Sequence, residues 1–239
     1  MVLCVTITPI NFIDPTGFAE YRIGGLNLAP QFVFDHGFAY NPNAVATKAD
    51  KKSWNEWGRN AFLAGFVPWL QDAAKMYKHY RDNTGTDMKV DYQRAYREDS
   101  TIKSYIDTEV GLMTDFALKS IASGSSSFEI IGTMQAIPNG KSENWQKTIG
   151  AHNVYGHGVV STDKNGNVVM VVTFYMEDMY NFNPGQADIA SGTPDAVNGR
   201  FSELGWAKEF KTYGTYTTTV TLVKAPPKTT PPPSSDKKR

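Results

Sequence analysis

Between residues 51 and 123, apolar side chains recur at three- and four-residue intervals, the period of a helix that buries one face. Ser53 with Glu56 makes a capping-box pair ahead of Trp54, Trp57 and Phe62, which predicts a helix start there. Pro68 should end or kink that helix and can open the next, since proline lacks an interior helix donor but suits a first turn. The next segment carries Leu70, Ala73, Ala74, Tyr77 and Tyr80 on one stripe and stops near Asn83-Thr84-Gly85. A third helix is expected from Asp99 or Ser100, with Ile102, Tyr105, Ile106, Met113, Phe116, Ala117 and Ile121 at helical spacing, closing at Ser123-Gly124.

From 125 to 224 the pattern changes to β-branched and aromatic runs bounded by turn residues: Phe128 to Ile137, Gly150 to Ser161, Val168 to Met176 and Tyr213 to Lys224. Asp163-Lys164-Asn165-Gly166 reads as a hairpin turn, because Asn-Gly accepts the positive φ angles of a tight connection. The run VVMVVTFYM is continuously apolar, so a central strand covered on both faces is expected. Gly199 to Phe210 fits a short helix carrying Phe201, Leu204 and Trp206. The expected fold is α+β, with an N-terminal helical layer packed on a mainly antiparallel sheet or half-barrel.

Flanking stretches lack such periodicity. Residues 1–50 are rich in Gly, Pro, Asn and Phe and read as an irregular leader, with 19–50 its linker portion. From Ala225, the Pro-rich, polar and basic 225–239 stretch is expected to be a disordered tail. A folded domain is therefore expected over 51–224, helical in 51–123 and strand-rich in 125–224.

Composition narrows the class. The chain has 239 residues, 41% hydrophobic and 20% charged, with Lys+Arg and Asp+Glu equal at 24 each. That balance leaves no electrostatic footprint for a polyanion, and a nucleic-acid partner is not expected. With Cys4 alone, a disulfide framework and a Cys-based metal site are excluded. The N-terminus does not read as a signal peptide. The apolar stretch from Ala61 to Leu70 is interrupted by Gly65 and Pro68 and falls short of a membrane span.

Pro9-Ile10-Asn11-Phe12-Ile13-Asp14-Pro15-Thr16-Gly17-Phe18 resembles the boundary motif of Rhs-type polymorphic toxins, with Phe18 in place of the usual leucine. In that family the motif ends an encapsulating shell and the variable toxin follows. The resemblance implies that 1–18 is the shell's end and that the toxin begins near Ala19. It also implies a self-cleavage point at Phe18–Ala19, with Asp14 among the acids involved and the rest of the protease supplied by the shell. Delivery by a type VI secretion machinery and a cognate immunity protein in the producing cell are the implied partners. Asp-Pro-Thr-Gly by itself is also an ordinary β-turn.

The densest polar cluster, Glu177 to Gly185, follows the most apolar strand, where catalytic groups are often carried. The order of elements over about 125–224 resembles the catalytic domain of colicin M, whose family cuts lipid II between the undecaprenyl chain and the pyrophosphate, with magnesium, in the periplasm. Asp178 and Tyr180 match that family's acid and tyrosine. Asn181 stands where it has a second aspartate, and its following His-Arg pair is absent. Metal-assisted phosphoester hydrolysis needs carboxylates for a hard cation, a base, and a cation facing the phosphate. Asp178 and Asp188 are the candidate Mg2+ ligands, Arg200 the phosphate clamp, and His152 or His157 the base. Each has a plain alternative, as a turn cap, a packed ring or an ordinary strand residue.

The competing reading is non-enzymatic. The aromatic, amphipathic stretch from Trp54 to Tyr80 fits a pore-forming toxin that permeabilises membranes, or else forms the core of the helical layer. Both readings place the action in the periplasm or at the inner membrane of a target bacterium.

Overall fold

The computed structural model describes residues 20–188 and 191–226. Among them lie six helices and a seven-strand, mostly antiparallel open sheet. The expected helical layer on an antiparallel sheet is thus present, and the sheet stays open rather than closing into a half-barrel. The boundary motif Pro9 to Phe18, the Phe18–Ala19 bond and the tail beyond Pro226 lie outside the described residues.

The helical half begins earlier than the spacing predicts. Helix α1 spans Lys48–Ala64, and its capping box is Thr47 with Asp50, not Ser53 with Glu56. Thr47 Oγ1 accepts from the Asp50 amide at 3.1 Å while the Asp50 carboxylate accepts from the Thr47 amide at 2.8 Å. That reciprocal pair satisfies two donors a helix start leaves orphaned. Helix α2 spans Gln71–Arg81, so Pro68 sits in the connecting turn instead of opening the helix. Two short elements follow, β2 (Met88–Lys89) and α3 (Tyr92–Glu98).

Asp99 then starts α4 (Ser100–Ala122), which Ser123 closes, as the pattern predicts. One Asp99 oxygen accepts from the Thr101 and Ile102 amides at 2.9 and 3.1 Å, and the other takes the Ser142 amide at 2.7 Å. A single buried carboxylate therefore caps the longest helix and ties down a distant loop.

The remaining strands are β1 (Tyr21–Ile23), β3 (Phe128–Gly132), β4 (Gln135–Ile137), β5 (His152–Thr162), β6 (Val168–Tyr180) and β7 (Phe210–Val223). Their order is β1-β3-β5-β6-β7-β2, with β4 also on β5, and only β2 runs parallel to its neighbour. Two short helices, α5 (Glu143–Thr148) and α6 (Ala196–Glu203), sit in the connections. The β5–β6 turn is the expected Asp163 hairpin, where the Asp163 carboxylate accepts from the Asn165 and Asn167 amides.

Strand β6 is not covered on both faces. Met170, Val172, Phe174 and Met176 are fully buried under the helices, whereas Val171 between them is 37% exposed. The outward positions are β-branched or aromatic because such side chains suit a strand, not because a second layer covers them. On the inner face α4 lies close against β5: a Cβ on Gly156 would come within 2.9 Å of the Met113 sulfur.

The segment from Glu20 to Thr47 has little regular structure, yet it is fastened to the domain. Its start pairs with β3, Phe32 packs 5.6 Å from Tyr155, and Phe38 fills the space a side chain on Gly199 would need.

Candidate functional site

Strand β6 runs to Tyr180, beyond the Met176 end expected from the sequence, so Asp178 and Tyr180 project from a strand and not from a loop. Period-two alternation keeps them on the same inward face as Met176. There the core gives way to a cavity of about 590 Å3. One wall is apolar and comes from the first two helices, with Trp57, Ala61, Ala64, Leu70, Ala73 and Ala74. The polar part of the lining carries Asp178, Tyr180, Asn181, Asp188, Asp195 and Lys147.

Burial pushes the Asp178 carboxyl up to about 8, and the nearby charge of Asp35 adds to the shift, against a backbone hydrogen bond from Met179 that opposes it. Asp178 is therefore mostly protonated at neutral pH. Burial also holds the Tyr180 hydroxyl well above its ordinary range, helped by Tyr77, Tyr80, Asp195 and Asp188. Its ring is fixed by stacking on Phe210 at 5.1 Å.

The loop after β6 is held in place by its own polar groups. The Asn183 amide donates to Asp195 at 3.0 Å, and its side chain donates to Asp35 at 2.7 Å. Asn181 donates to the Asp35 carbonyl at 3.2 Å. Burial opposes ionisation of Asp188, but hydrogen bonds from Lys147 and Ser191 overcome it and hold its carboxyl below the usual range. Lys147 reaches Asp188 at 2.8 Å. Asp195 is raised by burial and by the charge of Asp188, partly offset by the Asn183 amide.

Four of the residues nominated from the sequence, Asp178, Tyr180, Asn181 and Asp188, thus line one cavity. Two others do not. Arg200 is paired with Glu203 at 2.9 Å and Asp50 at 3.6 Å and donates to the Val45 carbonyl, outside the cavity lining. It clamps α6 to α1 and the preceding segment, so it is not the phosphate clamp. His157 lies opposite Thr173, five positions from Asp178 on an unbroken register, and so projects from the other face of the sheet. It pairs there with Glu129 at 2.6 Å and cannot serve as the base for Asp178.

His152 is on the correct face but is fully enclosed behind the cavity wall. Burial lowers it to about 4, so it is neutral, and its two nitrogens are taken by the Gly150 carbonyl and the Tyr92 hydroxyl. Its role is structural.

Three cavity residues escape sequence reasoning. Asp35 comes from the irregular leader, where no periodicity marks it. A Cβ on the adjacent Gly37 would lie 2.3 Å from the Phe182 carbonyl, so the leader passes close to the site loop. Asp195 sits in a Gly- and Pro-containing loop. Lys147 sits on α5, whose single signal is the Glu143/Lys147 pair one turn apart.

For a divalent cation the cavity lining offers Asp178 and Asp188, of which only Asp188 is held ionised at neutral pH, and no group of three or more His, Cys, Asp or Glu converges as a cage among the described residues. Magnesium keeps several waters and needs one or two carboxylates plus substrate phosphates, so Asp188 suffices in kind. The charge of the cavity favours a cation too, with Asp35, Glu143, Asp188 and Asp195 against Lys147 alone. No protein-family model, curated protein or solved structure matches the chain.

Proposed function

We propose that the chain is an interbacterial toxin, the effector end of an Rhs-type polymorphic toxin, and that its cavity hydrolyses a lipid-linked phosphoester of the cell envelope, of the undecaprenyl-pyrophosphate kind found in lipid II. The observation that carries this reading is the mixed lining of the cavity: Asp178 and Tyr180 on a strand end share it with small apolar side chains of the first two helices. Such a cavity suits an amphipathic substrate, with its polar linkage at the strand and its lipid portion along the helices.

In the proposed step, water adds to phosphorus and the bond to the lipid oxygen breaks. Asp178, protonated at neutral pH, gives its proton to that leaving oxygen, and the proton released by the water restores it. Tyr180 stays un-ionised and donates a hydrogen bond to a phosphoryl oxygen. Lys147 faces the phosphate charge in the role first sought in Arg200. Asp188, held ionised, would be the carboxylate available to magnesium, which would neutralise the pyrophosphate; Asp178, as the proton donor, would stay off the metal. A cognate immunity protein and the Rhs shell with its secretion machinery are the partners of this reading, and its site of action is the periplasm or inner membrane of the target cell.

Two measurements test it. Expression directed to the periplasm should be toxic; killing from the cytoplasm alone, with harmless periplasmic protein, overturns the envelope reading. Purified protein should release the pyrophosphate-linked sugar from lipid II, and Asp178→Ala should lower the rate about a hundredfold or more. A second reading, membrane permeabilisation, is favoured by the exposed Phe62, Phe66 and Trp69. It predicts dye leakage from protein-free vesicles that Asp178→Ala leaves unchanged.

A further inference from the structure

The end of α1 and the turn to α2 present Phe62, Leu63, Phe66 and Trp69 at 67, 55, 71 and 69% exposure. They fall within eight residues at the tip of the helical hairpin, where the Phe62 and Phe66 rings meet edge to face at 5.1 Å. A protein surface seldom leaves such a group uncovered without use. No charged residue occurs from Asn60 to Gln71. The end of α1 supplies Ala61 and Ala64 to the cavity lining and the turn supplies Leu70, so the exposed tip is continuous with residues that line the cavity.

Charge identifies what covers the tip. The chain as a whole is neutral, and within the hairpin Lys52 and Lys78 are paired with Glu56 and Asp82. Nearest the tip stand Arg59 before it and Lys75 after it, while the carboxylate of Asp72 is taken by Arg94. An uncharged aromatic tip flanked by these two cations matches an anionic bilayer surface, which offers apolar depth below negative headgroups. Tryptophan and phenylalanine side chains favour that interface. No helix among the described residues is long and apolar enough to cross a membrane, which fits contact at the surface.

We propose that Phe62, Leu63, Phe66 and Trp69 insert into the headgroup region of an anionic phospholipid bilayer and set the cavity mouth against it. A lipid-linked substrate then passes from membrane to cavity without its apolar portion crossing water. This inference rests on the envelope reading for its substrate, but the docking surface is tested apart from it.

The test is co-sedimentation of the full chain with phosphatidylethanolamine/phosphatidylglycerol vesicles, comparing wild type with the double variant Phe66→Ser/Trp69→Ser. Both side chains are exposed, so unchanged thermal unfolding checks that the variant folds. Wild type should pellet with the vesicles, and the variant should bind about tenfold more weakly or worse. Substituting phosphatidylcholine for the anionic lipid should weaken wild-type binding. Hydrolysis of detergent-dispersed lipid II should be the same for both proteins. Absent wild-type binding, equal binding by the variant, or a dimer that the variant dissociates would each overturn the docking proposal. Vesicle binding lost in the variant together with no hydrolysis in detergent would leave docking standing and remove the catalytic reading.

Discussion

Replacing Asp178 with asparagine should make the protein more stable at neutral pH. In the folded chain the carboxyl is pushed up to about 8 from the ordinary 3.8, chiefly by burial. Between those values the folded protein holds a proton that the unfolded chain has released. Stability contributed by this group is therefore present at pH 4 and is lost as pH rises towards 8. At pH 7 the unfolded carboxyl lies about three pH units above its own pKa, worth at most about 4 kcal/mol. Asp178 is half-buried and faces a cavity that admits water, so screening should leave about 1–2 kcal/mol. Asparagine keeps the size and hydrogen-bonding capacity of the neutral acid but has no ionised form to favour unfolding. Urea unfolding of both proteins at pH 4, 5.5, 7 and 8 measures the difference directly. The variant should gain from pH 5.5 upward and match wild type at pH 4. An equal difference at every pH, or a loss of stability at pH 7, would refute the argument that this carboxyl is held protonated.

Other outcomes follow from the same chemistry. His152 is lowered to about 4 by burial, so the folded state loses stability as pH falls from about 6.5 towards 4, by about 3 kcal/mol in all. His152→Gln should flatten that window in urea titrations, and an unchanged acid limb would count against the burial argument. Asp99→Ala removes a helix cap and strands the Ser142 amide, which should cost about 2–4 kcal/mol in chemical unfolding. A loss below about 1 kcal/mol would mean that water replaces both contacts.

The hairpin at Asp163 and the α4 start at Asp99 were legible because local side chains make those bonds themselves. The start of α1 was misplaced for a related reason: Thr47 and Asp50 form a capping pair as good as Ser53 and Glu56, and spacing does not choose between them. Of the site, Asp178 and Tyr180 were legible as polar positions at the end of an apolar run. Arg200 and His157 were plausible by residue type alone. Whether a histidine faces an aspartate depends on strand parity, and whether an arginine is free depends on Asp50, far away in sequence.

The sequence by itself determined the class of fold, the helix-then-strand order and the identity of the polar cluster after β6, because these follow from periodicity and short-range hydrogen bonding. What surrounds that cluster depends on how the distant segments pack. Folding brought Asp35 to Asp178 and Lys147 to Asp188, turned His157 to the opposite face and tied Arg200 elsewhere. It also left Phe66 and Trp69 exposed on the turn that joins the first two helices. Burial, like-charge proximity and exposure are properties of packed surfaces, and they set the proton on Asp178 just as they set the unpartnered tip beside it.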